Sequence, residues 1–550
     1  MRRFRFRYNL RALIALFLCL GPVMGWLAHL HRQIQRERAA LAEIRDIQAK
    51  MTAPADAWID DPLDVESVQL PWWLAWDGER GFEQAVGVGF KFGWCDEQFD
   101  PETEISDREM RLIADMPRIK RLEIPHSEVG DTGLAHLASL RHLETLDLSA
   151  TKMTDRGLRH LAHLRSLKEL KLNNMDISGA GIQYLARCPQ LQALEVFGLD
   201  TSTEYAGYFG QITSLESLRI GGGDFERFRL RGLSRFRDLV LYGRDCTEFE
   251  FTDLPALQSL SLSCQRIDRL VLRSLPRLTS LSIHAECISQ EAVDYIGGVA
   301  SLRQLHLSRS PINNDGLKAI GRLRVLANLH LQNTTVDDRA MSAFAGLWRL
   351  KRLSLHAPAV GRQGLNHLRH LRNLESLTLA GIRCEGHLSL MRDSLPNLCD
   401  LYLGECRFRE LRCSGHANLE DIAGYHTELD AICLEDLPDL RRIAFSGLRV
   451  QRFSLQRLPR LGWLHLSILH GTEVTSARLC DLPRLEHLAF VGISAEGSIE
   501  DLPSPVKMPI DVFDHSDSYP RLRRLDISHI DLPERAQRKL VEIRKRSRGR

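Results

Sequence analysis

The stretch Leu143–Leu172 reads LETLDLSATKMTDRGLRHLAHLRSLKELKL and holds one full period of a repeat with the start of the next. Leu143, Leu146 and Leu148 set out the pattern L-x-x-L-x-L, and Leu167, Leu170 and Leu172 restate it 24 residues later. In each triplet the last two leucines flank a polar residue, Asp147 or Lys171. That is the period-2 alternation of a strand with one buried face. Between the triplets Leu158, Leu161 and Leu164 stand three apart, as one face of a short helix, with Thr154 or Asp155 placed to cap it. One such unit cannot bury its own leucines, whereas stacked units form a continuous core.

The period runs outward in both directions. Ile119, Leu122 and Ile124 precede it; Leu191, Leu194 and Val196, then Leu215, Leu218 and Ile220 follow. The spacing shortens to 21 residues at Phe236, Leu257 and Leu278, and returns to 24 from Leu302 through Leu326, Leu350, Leu374 and Leu398. A second 21-residue block starts its units at Leu419, Leu440 and Leu461; Leu485 begins one more, and Leu522, Leu525 and Ile527 close the array, about eighteen units in all. The shorter units read differently on their outer side. Leu270-Val271-Leu272 and Phe453-Ser454-Leu455 alternate like strands and stop at Pro276 and Pro459, which predicts extended or 3₁₀ segments there.

These residues resemble the leucine-rich-repeat superfamily over roughly 105–530. The longer units are similar to the V-T-D-x-G-L-x-x-L subclass of bacterial repeat proteins and of the repeats in F-box adaptors. The resemblance implies an α/β solenoid, a curved right-handed horseshoe with a parallel sheet on its concave side. The ninth position, where the family often places an Asn ladder, holds Ser127, Thr151, Met175, Ser310, Thr334 and Cys406 among others. An Asn ladder is therefore mostly missing.

Five arginines stand in residues 1–11, followed by the uncharged run Ala12–Ala28. Seventeen residues reach the lower bound of a membrane-spanning helix, so 12–28 is expected to be a single-pass signal anchor rather than a cleaved signal. This head also looks like that of bacterial membrane-anchored repeat proteins. The arginine bias favours an extracytoplasmic solenoid, although Arg32, Arg36 and Arg38 follow the span. Segment 29–51 is expected to be a juxtamembrane helix. Ile34, Leu41, Ile44 and Met51 fall at heptad spacing, which leaves a coiled-coil dimer open, with Glu37 and Gln48 interrupting the seam. Residues 52–104 read as a linker and N-terminal cap, with Val86, Val88 and Phe90 as a capping strand. An insert breaks the period at 503–520, and 531–550 is a basic tail. That tail contacts anionic surfaces or is merely a solvated helix end.

Hydrophobic residues make up 44% of the 550 and charged ones 26%, which excludes wholesale disorder. The 73 basic and 71 acidic residues nearly cancel to a net +2, which leaves no global field for nucleic acid. Twelve cysteines are scattered without a C-x-x-C pair and read as small buried hydrophobes. No catalytic, nucleotide-binding or metal signature is present, so neither an enzyme nor a cofactor is expected.

The repeat register tells which side chains leave the sheet toward a partner. Between the second and third core positions lie His306, His330, Tyr402 and His465; just beyond the strand lie Tyr242, His284, His356 and Tyr425. Such an amphipathic, aromatic-bearing patch suits a binding hot spot. His306 and His330 should stand one strand spacing apart, flanked by His284 and His356, as a pH-responsive patch or a metal site. A flat sheet rarely converges side chains as tetrahedral coordination requires, so no metal is assigned. The expected function is a non-catalytic, membrane-tethered scaffold recognising a protein or glycan through its concave face. The alternative is an intracellular substrate-recognition adaptor of the F-box repeat kind.

Overall fold

The computed structural model describes residues 10–51, 63–69, 81–89, 105–198, 205–223, 227–244, 246–391, 394–493, 506–507 and 521–548. The chain divides into two compact units, Met1–Arg244 with Asp253–Pro255, and Asp245–Thr252 with Ala256–Arg550. Both are α/β leucine-repeat solenoids.

In the first unit the strands Arg121–Glu123, Thr145–Asp147, Glu169–Lys171, Ala193–Phe197, Ser217–Gly223 and Asp238–Gly243 form one parallel ladder. Leu122, Leu146, Leu170, Leu194, Leu218 and Leu239 sit side by side in it, as the leucine register requires. The capping strand is present as Gly81–Gly89, parallel to the first repeat strand with Val88 beside Leu122; Phe90 lies outside the described residues. The expected linker holds a strand of its own, Leu63–Gln69, antiparallel to Gly81–Gly89.

Helix α1 (Leu10–Met51) is continuous through the expected anchor and beyond it. The side chains of 10–24 and of Leu27, most of the expected span 12–28, lie outside the described residues. Among the described residues no helix is long and apolar enough to cross a membrane. Farther along α1, the coiled-coil reading is replaced by an intramolecular one. Ile34, Glu37, Ala40, Leu41 and Ile44 are buried, and α1 contacts the capping strand and helix α2 (Asp107–Ala114). The heptad-like spacing serves one face of a helix packed on its own chain. Glu37 is 4% exposed, with Oε1 lacking a hydrogen-bond partner. Burial pushes its carboxyl above the usual range, and Arg118 offsets this in part.

In the second unit twelve strands run parallel in register, from Ser259–Ser263 and Ser280–His284 to His487–Ile493 and Arg524–Ser528. The extended outer segments predicted at 270–272 and 453–455 are strands. Arg269–Arg273 pairs with Glu248–Thr252. His387–Met391, Arg407–Ser414, Glu428–Glu435, the end of Arg442–Gln456 and Ser476–Cys480 form a second parallel ladder. Helices do belong to 24-residue units, yet two such units, starting at Leu374 and Leu461, carry outer strands instead. Both end in Leu-Pro (Leu395-Pro396, Leu482-Pro483), so that dipeptide marks a strand-bearing unit better than length does.

The helix-bearing units show what their T-D-x-G-L signature is for. Thr154 caps its own helix, accepting from the Arg156 N–H at 3.3 Å. Asp155 instead reaches forward, accepting from the Ser178 N–H at 2.7 Å in the next unit. Asp107 takes the Gly130 N–H at 2.8 Å, Asp131 the Thr154 N–H at 2.9 Å, and Asp338 the Gly361 N–H at 2.6 Å. The glycine of the motif follows from this clamp. A Cβ on Gly364 would stand 2.5 Å from the Asp338 carboxylate, closer than real side chains tolerate. The interior ladder position is also filled, by hydroxyls and a thiol rather than Asn. Thr151 donates to the Leu148 carbonyl, Ser310 to Ala285, Thr427 to Leu403 and Cys406 to Leu379.

At the end of the second unit, helix Glu534–Arg548 buries Ala536, Leu540 and Ile543. The expected basic tail is therefore in large part a helix packed by one face, with Arg535 and Arg538 exposed. Of the insert 503–520 only Val506–Lys507 is described, paired with Ile530–Asp531.

Candidate binding face

Alternation along each strand sends Leu inward and its neighbour out, so every unit contributes up to three side chains to the open face of the sheet. In the second unit this face carries Tyr402 (41% exposed), Tyr425 (46%) and Trp463 (43%). Register places Tyr402 beside Ala423, Ala423 beside Ala444, and Ala444 beside His465. Two alanines thus form a low floor between Tyr402 and His465, with Tyr425 and Trp463 at its sides. The Trp463 ring stacks on His487 with centroids 3.8 Å apart, and His465 lies parallel to His487 at 6.3 Å. Such stacking holds the indole flat while leaving its other side to solvent.

The polar groups around these rings are not idle. His487 is 7% exposed and its Nδ1 has no hydrogen-bond partner. Burial holds both imidazoles below their ordinary range, with Arg524 and His465 adding to the effect at His487 and Asp526 opposing it at both. At the edge of the floor Asp421 faces Arg442 at 3.5 Å, while its buried Oδ1 is unpartnered. Burial and then Glu420 raise Asp400; burial and Asp400 raise Asp421, with Arg442 pulling it back. These groups can hydrogen-bond and stack on a ligand.

His306 and His330 are direct register partners, and their rings lie 4.1 Å apart. His284 and His356 sit on the strands to either side, opposite Ser308 and Ala380. Among the described residues no group of His, Cys, Asp or Glu is arranged to hold an ion. Tyr242 belongs to the first unit, where it is exposed and packs on Phe197 at 5.8 Å. Trp463 and His487 escaped the sequence reading because they precede the second core position, a column left out of it; the same register would have found them. Among the described cysteines Cys188, Cys246, Cys264, Cys384, Cys406 and Cys413 are buried as expected, whereas Cys399, Cys433 and Cys480 are half-buried and Cys287 is exposed. Cys188 and Cys406 are pushed up to about 11, and Cys264 and Cys413 to about 12, by burial.

A sequence family described as Leucine Rich repeat matches residues 139–162 and 300–321. No curated protein matches the chain. Among solved structures, a leucine-rich-repeat protein of Leptospira interrogans is similar at 16% identity and a TM-score of 0.41, over 75% of this chain and 90% of that one. An internalin from Listeria monocytogenes is similar at 18% identity and a TM-score of 0.37, over 55% of this chain and 84% of its own. A plant peptide hormone receptor in complex with its peptide is similar at 14% and 0.40, over 77% and 68%.

Proposed function

Because the chain is a member of the leucine-rich-repeat superfamily, we propose that it is a non-catalytic capture scaffold. In this reading it recognises a protein or glycan partner on the open face of the second unit's sheet. The observation that carries this is the exposed aromatic cluster Tyr402, Tyr425 and Trp463 around the Ala423–Ala444 floor. Exposed aromatics held rigid beside buried polar groups are what binding hot spots are made of. The test is the double substitution Tyr402→Ser with Trp463→Ser, read by crosslinked capture from intact envelopes. Loss of about 2 kcal/mol or more per anchor is expected, so capture should fall more than tenfold. Unchanged capture by a folded variant would sink the assignment.

The scaffold in this proposal is tethered to a membrane through 12–28, with the solenoid outside the cytoplasm. The arginine-led, uncharged run supports it. Removing residues 1–31 should release the protein while sparing the buried face that begins at Ile34. A reporter after Arg550 tells the orientation, and a cytoplasmic signal would favour an intracellular adaptor.

A further inference from the structure

Six successive strands of the second unit's twelve-strand ladder, from Ser259–Ser263 to Ser376–Ala380, contain no carboxylate. The next strand of that ladder begins with Asp400. Among the described residues these six also present no large exposed hydrophobic side chain. Their open face is hydroxyl, amide and imidazole, with one cation, Arg352, on the strands themselves and exposed Arg303 and Arg309 beside them. That chemistry hydrogen-bonds polyols and tolerates anions, and it offers an apolar peptide nothing.

His306 and His330 stand at the middle of this strip in ring contact. The strand before His306 brings His284 toward it, and the strand after His330 brings Arg352 and His356. No carboxylate faces the pair from its own strands or from either neighbour; Glu375, farther on, is tied to Lys351 at 2.8 Å. Burial holds both rings below their usual range, with His284 adding to the effect at His306 and His306 at His330. Two contacting imidazoles repel one another when both are charged, and an anion laid across them removes that penalty.

We propose that the His306–His330 pair is a proton-gated seat for the carboxylates of an acidic polysaccharide, whose hydroxyls are taken up by the flanking serines and amides. Binding draws protons from solvent onto the imidazoles, so affinity rises as pH falls. This seat is separate from the aromatic cluster and does not depend on it.

The test uses the full chain in detergent, at fixed ionic strength, with polygalacturonate as probe and dextran as its uncharged counterpart. Polygalacturonate should bind roughly tenfold more tightly at pH 5.5 than at pH 7.5, as uptake of about half a proton averaged over those two pH units requires. His306→Gln with His330→Gln should flatten that dependence. His306→Arg, which installs a permanent charge, should raise affinity at pH 7.5 toward the acid value. Tyr402→Ser with Trp463→Ser should leave this binding unchanged, which separates it from capture at the cluster. Affinity independent of pH, a retained pH dependence in the glutamine variant, or equal binding of dextran would overturn the proposal. So would tighter binding of polyuridylate through the same histidines.

Discussion

Helix-bearing and strand-bearing units bring the same three core residues to the same kind of sheet but join their outer sides by different means. Around Asp107, Asp131 and Asp155 the outer sides are short helices, linked by one carboxylate per unit reaching forward to a backbone N–H. Between His387 and Cys480 they are strands, linked by a backbone ladder along their length. In the first arrangement cohesion rests on side-chain identity at one position. In the second it rests on the peptide groups and on apolar residues beneath them, so outer side chains are free to vary. The helix-bearing units should therefore be brittle at Asp and Gly, and the strand-bearing ones only in the core.

The largest effect should come from that core. Phe453 is 2% exposed and packs on Phe490 at 5.8 Å, so Phe453→Ala should cost about 3–5 kcal/mol in denaturant unfolding. A loss below about 1 kcal/mol would mean the backbone ladder alone carries the strand-bearing units. The clamp comes next. Asp155→Ala should cost about 1–2 kcal/mol, and Gly181→Ala about 1–3 because its new Cβ meets the Asp155 carboxylate. Since one variant removes what the other strikes, the double variant should lose clearly less than the sum. Simple additivity would disprove the link between motif Asp and motif Gly.

Two predictions concern protons. Glu37→Gln should strengthen the docking of α1 by about 1 kcal/mol at neutral pH, seen as slower hydrogen exchange across 34–44. The wild-type carboxyl has a raised folded pKa, so its contribution is present at acid pH and is lost as pH rises through that value. The glutamine variant should accordingly lose this pH dependence. His465 and His487 have the opposite sign. Their lowered folded values mean the unfolded chain binds more protons, so stability present above about pH 6.5 is lost as pH falls below it. Between pH 7.5 and 5.5 the melting temperature should drop, and the drop should shrink in His465→Gln with His487→Gln. The smallest effect belongs to the exposed ion pairs of the strand-bearing units. Arg457→Ala, which frees Asp436 and Glu435, should leave the unfolding midpoint unmoved.

Strand register was fully legible in the sequence, because a one-residue slip would turn every leucine outward. So were the Tyr402 and His306 columns, which that register generates. Three features were not. The second ladder needs hydrogen bonds between segments that sequence shows only as extended. The forward clamp involves Asp155, whose position equally suits a local cap. The docked face of α1 shares its spacing with a coiled-coil seam, and only the presence of the cap strand decides between them.

The clamp has a direction: each carboxylate serves the unit after it and none serves the unit before. Asp155 holds Ser178, but the corresponding place in that next unit is Gly179, which has nothing to offer onward. The run from Asp107 to Ser178 thus has a first member that only gives and a last that only receives. An interior member both gives and receives. Excision of residues 132–155 would leave Asp107 on Gly130 and set Asp131 directly before Arg156, facing Ser178 in place of Asp155. Loss or gain of a whole period at such a seam keeps the forward carboxylate bonds in series at the cost of one local cap, that of Thr154 on the Arg156 N–H, so the number of clamped units is adjustable.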